Sequence, residues 1–163
     1  MTTHTTLRTP TWSVYAFWIA LSEMVGIAAA LATQDAMETY GTTMATPPLS
    51  PPAIVFPIAW SVLYALMGIG AARIWIRPPS PERTQALVLF AVQLAMNFAW
   101  TFAFFAFEAY GFAFFWLVGL WAVVVAMAAA FRKVDAAAAA MQIPYVAWLA
   151  FAAYLNAGVW YLN

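Results

Sequence analysis

Three stretches of this chain carry aromatic and amide side chains at helical spacing. In "QLAMNFAWTFAF", Gln93, Asn97, Trp100 and Phe104 fall at i, i+4, i+7 and i+11, which places them on one face of a helix. A second stretch aligns Tyr145, Trp148, Ala152 and Asn156 in the same way, and a third sets Trp60 and Tyr64 four apart, with Gly68 and Ala72 continuing the row. Indole and phenol rings offer flat apolar faces with one polar tip, and amides offer a donor and an acceptor. Such groups suit the lining of a pocket better than the making or breaking of bonds. Conventional catalysis finds little else to work with. There is no cysteine, so disulfides, iron–sulfur clusters and thiol chemistry are excluded. The single histidine, His4, lies in a polar N-terminal tail and reads as a solvated residue, so no histidine-rich metal site is expected. No acid–base pair or activated nucleophile stands out; no catalytic residue and no metal ligand is assigned.

The medium around these stripes follows from composition. Of 163 residues, 66% are hydrophobic and 7% charged, whereas a soluble domain needs about a quarter charged residues to cover its surface. Lipid must be the solvent for most of the chain. Formal net charge is zero, which excludes an electrostatic nucleic-acid surface.

A spanning helix takes about 20 mostly apolar residues, and five segments qualify, near 12–32, 53–77, 84–107, 111–131 and 137–161. The expected architecture is an all-α integral membrane protein, a five-helix transmembrane bundle with a short tail at 1–11. "PPSPERT" (78–84) gives the third span Ser80 as N-cap and Pro81 at its first position, where the missing N–H costs nothing. Asp135 is placed to cap the fifth before the alanine run 136–140, and Glu108 and Gly111 frame the turn between the third and fourth. With five spans, Arg8, Arg73, Arg77, Arg83, Arg132 and Lys133 all fall on one side, and the other side has no Lys or Arg. Positive residues stay cytoplasmic, so the N-terminus is expected inside, with the 33–52 loop and the C-terminus outside. The first segment ends in "ALA" (30–32), as a cleaved leader can, but its length and Glu23 favour a span.

The loop "TQDAMETYGTTMATPPLSPP" (33–52) is the only long connection, and reads as a lid over the bundle or as a linker. Pro51 and Pro52 suit the first turn of the second span, where they stiffen its junction with the loop. Pro57 is expected to leave one carbonyl unpaired and tilt that turn. Pro144 is expected to do the same in the outer half of the fifth span, or near mid-depth. Asn97 and Asn156 read chiefly as interhelical hydrogen-bonding groups. Trp60, Tyr64, Trp100, Tyr145 and Trp148 have the depth of an interfacial belt, yet their convergence beneath the loop points to a pocket. Glu23 lies about halfway along the first span, where an unpaired carboxylate is costly. It is expected to face the bundle or a dimer seam, protonated or paired with a neighbour's polar group.

The loop and second span read "PPLSPPAIVFPIAW" followed by "SVLYALMG"; the third contains "QLAMNFAW" and the fifth "PYVAWLAFAAYLNAGVW". Over residues 46–161 these motifs, in this order, resemble the translocator protein family, also called TspO, tryptophan-rich sensory proteins or peripheral benzodiazepine receptors. The resemblance implies a five-helix bundle, commonly a homodimer, that binds tetrapyrroles such as protoporphyrin and haem as ligands rather than as resident cofactors. Carried over position by position, it implies a pocket of Trp60, Tyr64, Asn97, Trp100, Tyr145, Trp148 and Asn156, roofed by Pro51, Pro52 and Phe56. Departures are specific. Leu49 and Ile54 stand where the pattern has tryptophans, and Thr101 and Phe102 replace a proline pair. Ala157 and the uncharged ending "VWYLN" lack the sterol motif of eukaryotic members. Glu23 is not a feature of the resemblance.

These readings favour a membrane receptor or carrier for a flat hydrophobic ligand, with a tetrapyrrole first among candidates and the lipid bilayer as its setting. The resemblance also implies an alternative, light-dependent porphyrin breakdown with a pocket tryptophan as electron partner. A third reading is a regulatory or assembly role that exposes small-residue faces such as Gly68 and Ala72.

Overall fold

Ser80 starts a helix as the sequence predicts: its Oγ accepts the Arg83 N–H at 3.1 Å, and Pro81 occupies the first turn. The helix it opens is one of seven α-helices among residues 11–163, which are the residues described by the structure, a computed structural model. They are α1 (Thr11–Ala32), α2 (Gln34–Thr43), α3 (Val55–Trp75), α4 (Pro81–Thr101), α5 (Tyr110–Val134), α6 (Ala136–Ala140) and α7 (Ile143–Leu162). A π-helical turn, Phe102–Ala106, extends α4. Five helical segments are long and apolar enough to cross a membrane: α1, α3, α4 with its π turn, α5, and α6 with α7. His4 and Arg8, with nearly all of the tail, lie outside the described residues.

Alternation of the spans leaves two unlike ends. One carries Arg73, Arg77, Arg83, Arg132 and Lys133, and the other carries α2 with Asp35 and Glu38. Between them, Met67, Ile74, Phe90, Leu117, Leu120, Val124, Met127, Phe131 and Leu149 are essentially inaccessible and form the main core. Outward faces are apolar, with Trp12, Phe17, Met24, Val62, Phe112 and Phe115 exposed, as lipid contact requires.

Gly68 and Ala72 are not an exposed face. Both are buried, and a methyl on Gly68 would stand 2.6 Å from Ile19 Cα and from the Trp18 carbonyl of α1. The small residues are consumed by packing α1 on α3, which removes the surface on which an assembly role was expected to rest.

The prolines act differently from expectation. Pro51 and Pro52 precede α3, which begins at Val55. Pro57 falls in its first turn, where N–H groups have no intrahelical acceptor. The Ala53 carbonyl is satisfied by the Phe56 N–H at 3.3 Å, so no tilt is forced. Pro144 sits in the first turn of α7 near the arginine end, not in the outer half. There the fifth span breaks, and Gln142 bridges the break by donating through Nε2 to the carbonyls of Ala138 (3.2 Å) and Leu66 (3.5 Å). The long loop is also more ordered than a linker. Its first part is α2. Its second part is tied to the end of α7 by Asn163, whose side chain makes 3.0 Å bonds with both the N–H and the carbonyl of Ala45. Tyr154 Oη adds a 2.6 Å bond to the Pro48 carbonyl.

Asp135 fastens the arginine end. Its Oδ1 accepts the Ala138 N–H at 2.9 Å and so caps α6, as the sequence suggests. The same carboxylate receives Arg73 through Nε and Nη2 at 3.0–3.2 Å, and also Arg77. Burial pushes the Asp135 carboxyl up, but the bonds from Arg77, the Ala138 N–H and Arg73 outweigh it and hold the group down at about 2, against an ordinary 3.8. A depressed carboxyl pKa contributes stability above its unfolded value, and that contribution is lost as pH falls toward the folded one. Wild type should therefore melt above Asp135→Asn in detergent at neutral pH, by circular dichroism. The gap should close as pH is lowered from about 4 to about 2; a pH-independent gap would contradict the ion-pair account.

Candidate functional site

Buried polar groups with no water at hand must pair with one another, and a chain of them ties α4 to α7. Asn97 Nδ2 donates to Tyr145 Oη at 3.1 Å, and Tyr145 Oη donates to Gln93 Oε1 at 3.0 Å. All three residues are buried. Nearer the α2 end, Asn156 joins three elements: its Nδ2 donates to the Tyr110 carbonyl at 2.8 Å, and its Oδ1 accepts Trp100 Nε1 at 3.4 Å. The two asparagines are thus interhelical ties, as their residue type suggests, and Asn156 also orients an indole.

Beside these ties lies a cavity of about 810 Å³ in the α2 half of the bundle. Nine of the ten residues singled out in the sequence line it: Pro51, Pro52, Phe56, Trp60, Tyr64, Asn97, Trp100, Trp148 and Asn156. Tyr145 does not. It is 1% exposed and stands behind the wall, its ring 6.2 Å from that of Trp60. Trp60 is the hub, with Tyr64 at 5.6 Å and Trp148 at 6.4 Å between ring centroids; Phe56 meets Trp148 at 6.1 Å. Leu49 and Ile54, where the resemblance would set tryptophans, point away and are exposed.

Phe104, on the α4 stripe read by spacing, lines the cavity stacked on Trp100 at 5.2 Å, while other lining residues escape such a reading. The π turn brings Phe105 to the cavity beside Phe104. Widened turns of this kind recur at functional sites, but the run "FAFFA" carries no mark of one. Tyr40 of α2 closes over these rings at 5.5 and 5.4 Å. Burial, and then the nearby Tyr110, push its phenol above the ordinary 10.0, so it stays a neutral donor. Gly26 allows the Tyr64 ring to lie against α1, where any Cβ would collide with it. Glu23, one turn earlier, also lines the cavity. It faces the bundle as expected, but no polar partner for its carboxyl is found among the described residues.

An apolar enclosure of this volume, walled by rings with a few polar tips, has the size and lining of small-molecule sites. Fold and cavity together define the class: an integral membrane helical bundle with an internal aromatic cavity. The chain belongs to the TspO/MBR family, whose sequence profile matches residues 18–162. It is similar to the tryptophan-rich protein TspO of Chlorobaculum tepidum, with 33% identity over 152 residues, covering 91% of this chain and 94% of that protein. It is likewise similar to the translocator protein of Ovis aries, 41% identical over 119 residues, 72% of this chain and 70% of that protein. With the tryptophan-rich sensory protein of Cereibacter sphaeroides it shares 37% identity over 114 residues, 70% of each.

Tyr145 separates support from contact. Tyr145→Phe keeps the ring but strands the Asn97 donor and the Gln93 acceptor. Leaving buried groups unpaired should cost about 1–3 kcal/mol of stability, read as a lowered melting temperature, while the cavity wall stays in place. A melt equal to wild type would show that the network contributes nothing.

Proposed function

We propose that this protein is a membrane receptor or carrier for a flat hydrophobic ligand, a tetrapyrrole being the class that fits best. The observation that carries the proposal is the cavity itself. Rings from α2, α3, α4, the π turn and α7 converge on one enclosure of about 810 Å³, and their faces offer stacking area to a planar molecule. Support also comes from the family, since relatives bear the printed names translocator protein and tryptophan-rich sensory protein. A carrier releases its bound ligand across the membrane, whereas a sensor passes the bound state on to a partner; the binding step is common to both. Homodimer formation belongs to the same proposal.

Binding is tested with protoporphyrin, which should quench tryptophan fluorescence saturably in detergent or nanodiscs. Trp60→Ala combined with Trp148→Ala should weaken it tenfold or more, since each lost ring removes contacts worth about 1–3 kcal/mol. A folded double variant that binds equally well would place the ligand elsewhere.

Orientation is part of the proposal. Among the described residues the basic side chains gather at the end opposite α2, so that end is cytoplasmic, and α2, the cavity mouth and the C-terminus are external. Single cysteines at Thr42 and Arg83 should react with an impermeant thiol reagent from opposite faces of the membrane. Labelling of both from one face would refute this orientation.

A further inference from the structure

Among the described residues, Glu23 is the one charged side chain on the cavity wall. Both ion pairs found in the same residues go to Asp135, at the far end of the bundle, so neither neutralises Glu23. Its depth is defined by the helices. Glu23 lies nine residues before the end of α1 at Ala32, and Tyr64 nine residues after the start of α3 at Val55. At a rise of about 1.5 Å per residue both sit roughly 14 Å below the α2 end. Tyr64, whose ring presses against Gly26 one turn along α1, is therefore at the same level. Its hydroxyl has no hydrogen-bond partner among the described residues. Asn97, across the cavity on α4, spends its Nδ2 on Tyr145. The remaining walls are aromatic or aliphatic, apart from the Ser61 hydroxyl about one turn nearer the α2 end and other polar residues nearer the mouth.

We propose that Glu23 makes the cavity floor selective: it accepts the edge of a flat ligand that carries a cationic or N–H nitrogen, and rejects an edge that carries carboxylate. A carboxylate in a low-dielectric wall without a counter-charge gains most from a ligand that brings one. A second carboxylate at the same depth adds like-charge repulsion to its own desolvation. The inference rests on the cavity being a site for flat ligands, and it deepens that reading by fixing orientation. A porphyrin whose carboxylates share one edge enters with that edge toward α2 and water, and its donor-bearing or apolar part toward Glu23.

Three probes with one flat body isolate the effect: 1-pyrenemethylammonium, 1-pyrenecarboxylate and the neutral 1-pyrenemethanol. Each is titrated into the full chain in phosphatidylcholine nanodiscs, with tryptophan quenching as readout and empty discs as the partition blank. Wild type should bind the ammonium about tenfold or more tighter than the carboxylate, the ratio expected of a charge-assisted hydrogen bond. Glu23→Gln and Glu23→Met should both bring that ratio close to one, with saturable 1-pyrenemethanol binding retained as proof of an intact cavity. A wild-type ratio near one overturns the inference whatever the variants do. So does a high ratio that persists in either variant that still binds 1-pyrenemethanol. In these cases all probes still bind, and the cavity reading stands. If no pyrene and no protoporphyrin quenches saturably, the cavity reading itself fails and this inference fails with it.

Discussion

Hydrocarbon offers no partner to a polar group, and the structure is organised around that fact. Every amide or hydroxyl set between the spans must be answered by another, and where answers are supplied the bundle is tight. Gln93, Tyr145 and Asn97 satisfy one another across α4 and α7, and Asn156 joins α7 to α5 while steadying Trp100. These ties line the boundary between a solid half and a hollow half. On the solid side, leucine, methionine and phenylalanine close the space around them. On the hollow side, Trp60 meets Trp148 edge to face and Trp100 stacks on Phe104, and these rings border the space without filling it. The cavity lies where aromatic rings, rather than aliphatic side chains, face one another between the helices.

Much of this was legible in the sequence because the code for it is local or compositional. Span count follows from apolar run length, and Ser80 and Asp135 cap helices by chemistry that needs only three or four neighbouring residues. The stripes through Trp60, Trp100 and Trp148 follow from the 3.6-residue period. That period sets a side chain's direction but not its depth from the axis of the bundle. Tyr145 shares a stripe with Trp148, yet lies behind the wall rather than on it, because its hydroxyl is claimed by two amides of α4. Glu23 shows the opposite failing. A single carboxylate among apolar residues has no pattern to read, and its place on the wall depends on Gly26 letting the Tyr64 ring approach.

Breaks in regular structure were the least legible. An alanine run has the highest helix propensity there is, so 137–161 reads as one span that Pro144 tilts, not as two helices. The Gln142 N–H turns to the Ala139 carbonyl, and the Gln142 side chain takes up the Ala138 carbonyl so passed over while also reaching Leu66 of α3. The π turn at Phe102–Ala106 is hidden for a related reason: its residues would suit an α-helix equally well. α2 lacks a side-chain cap hydrogen bond at its N-cap residue Thr33. Its position is supported by Tyr40 packing on Phe104 and Phe105, a contact between residues more than sixty apart in sequence.

The Asp135 clasp has a mechanical side. It pins α3 to the α5–α6 corner, so at that end the helices share a fixed point. Toward α2, α3 no longer packs backbone to backbone with α7, and only rings span the interval between them. A set of rods joined at one end and separated by rollers at the other is a pair of tweezers. Small rotations about the clasp become larger displacements at the tips, where aromatic packing and the bonds from Asn163 and Tyr154 of α7 to the loop before α3 resist them. Under the proposed function, guests of different thickness would be met by this leverage, with the fulcrum at the Asp135 end, away from the cavity.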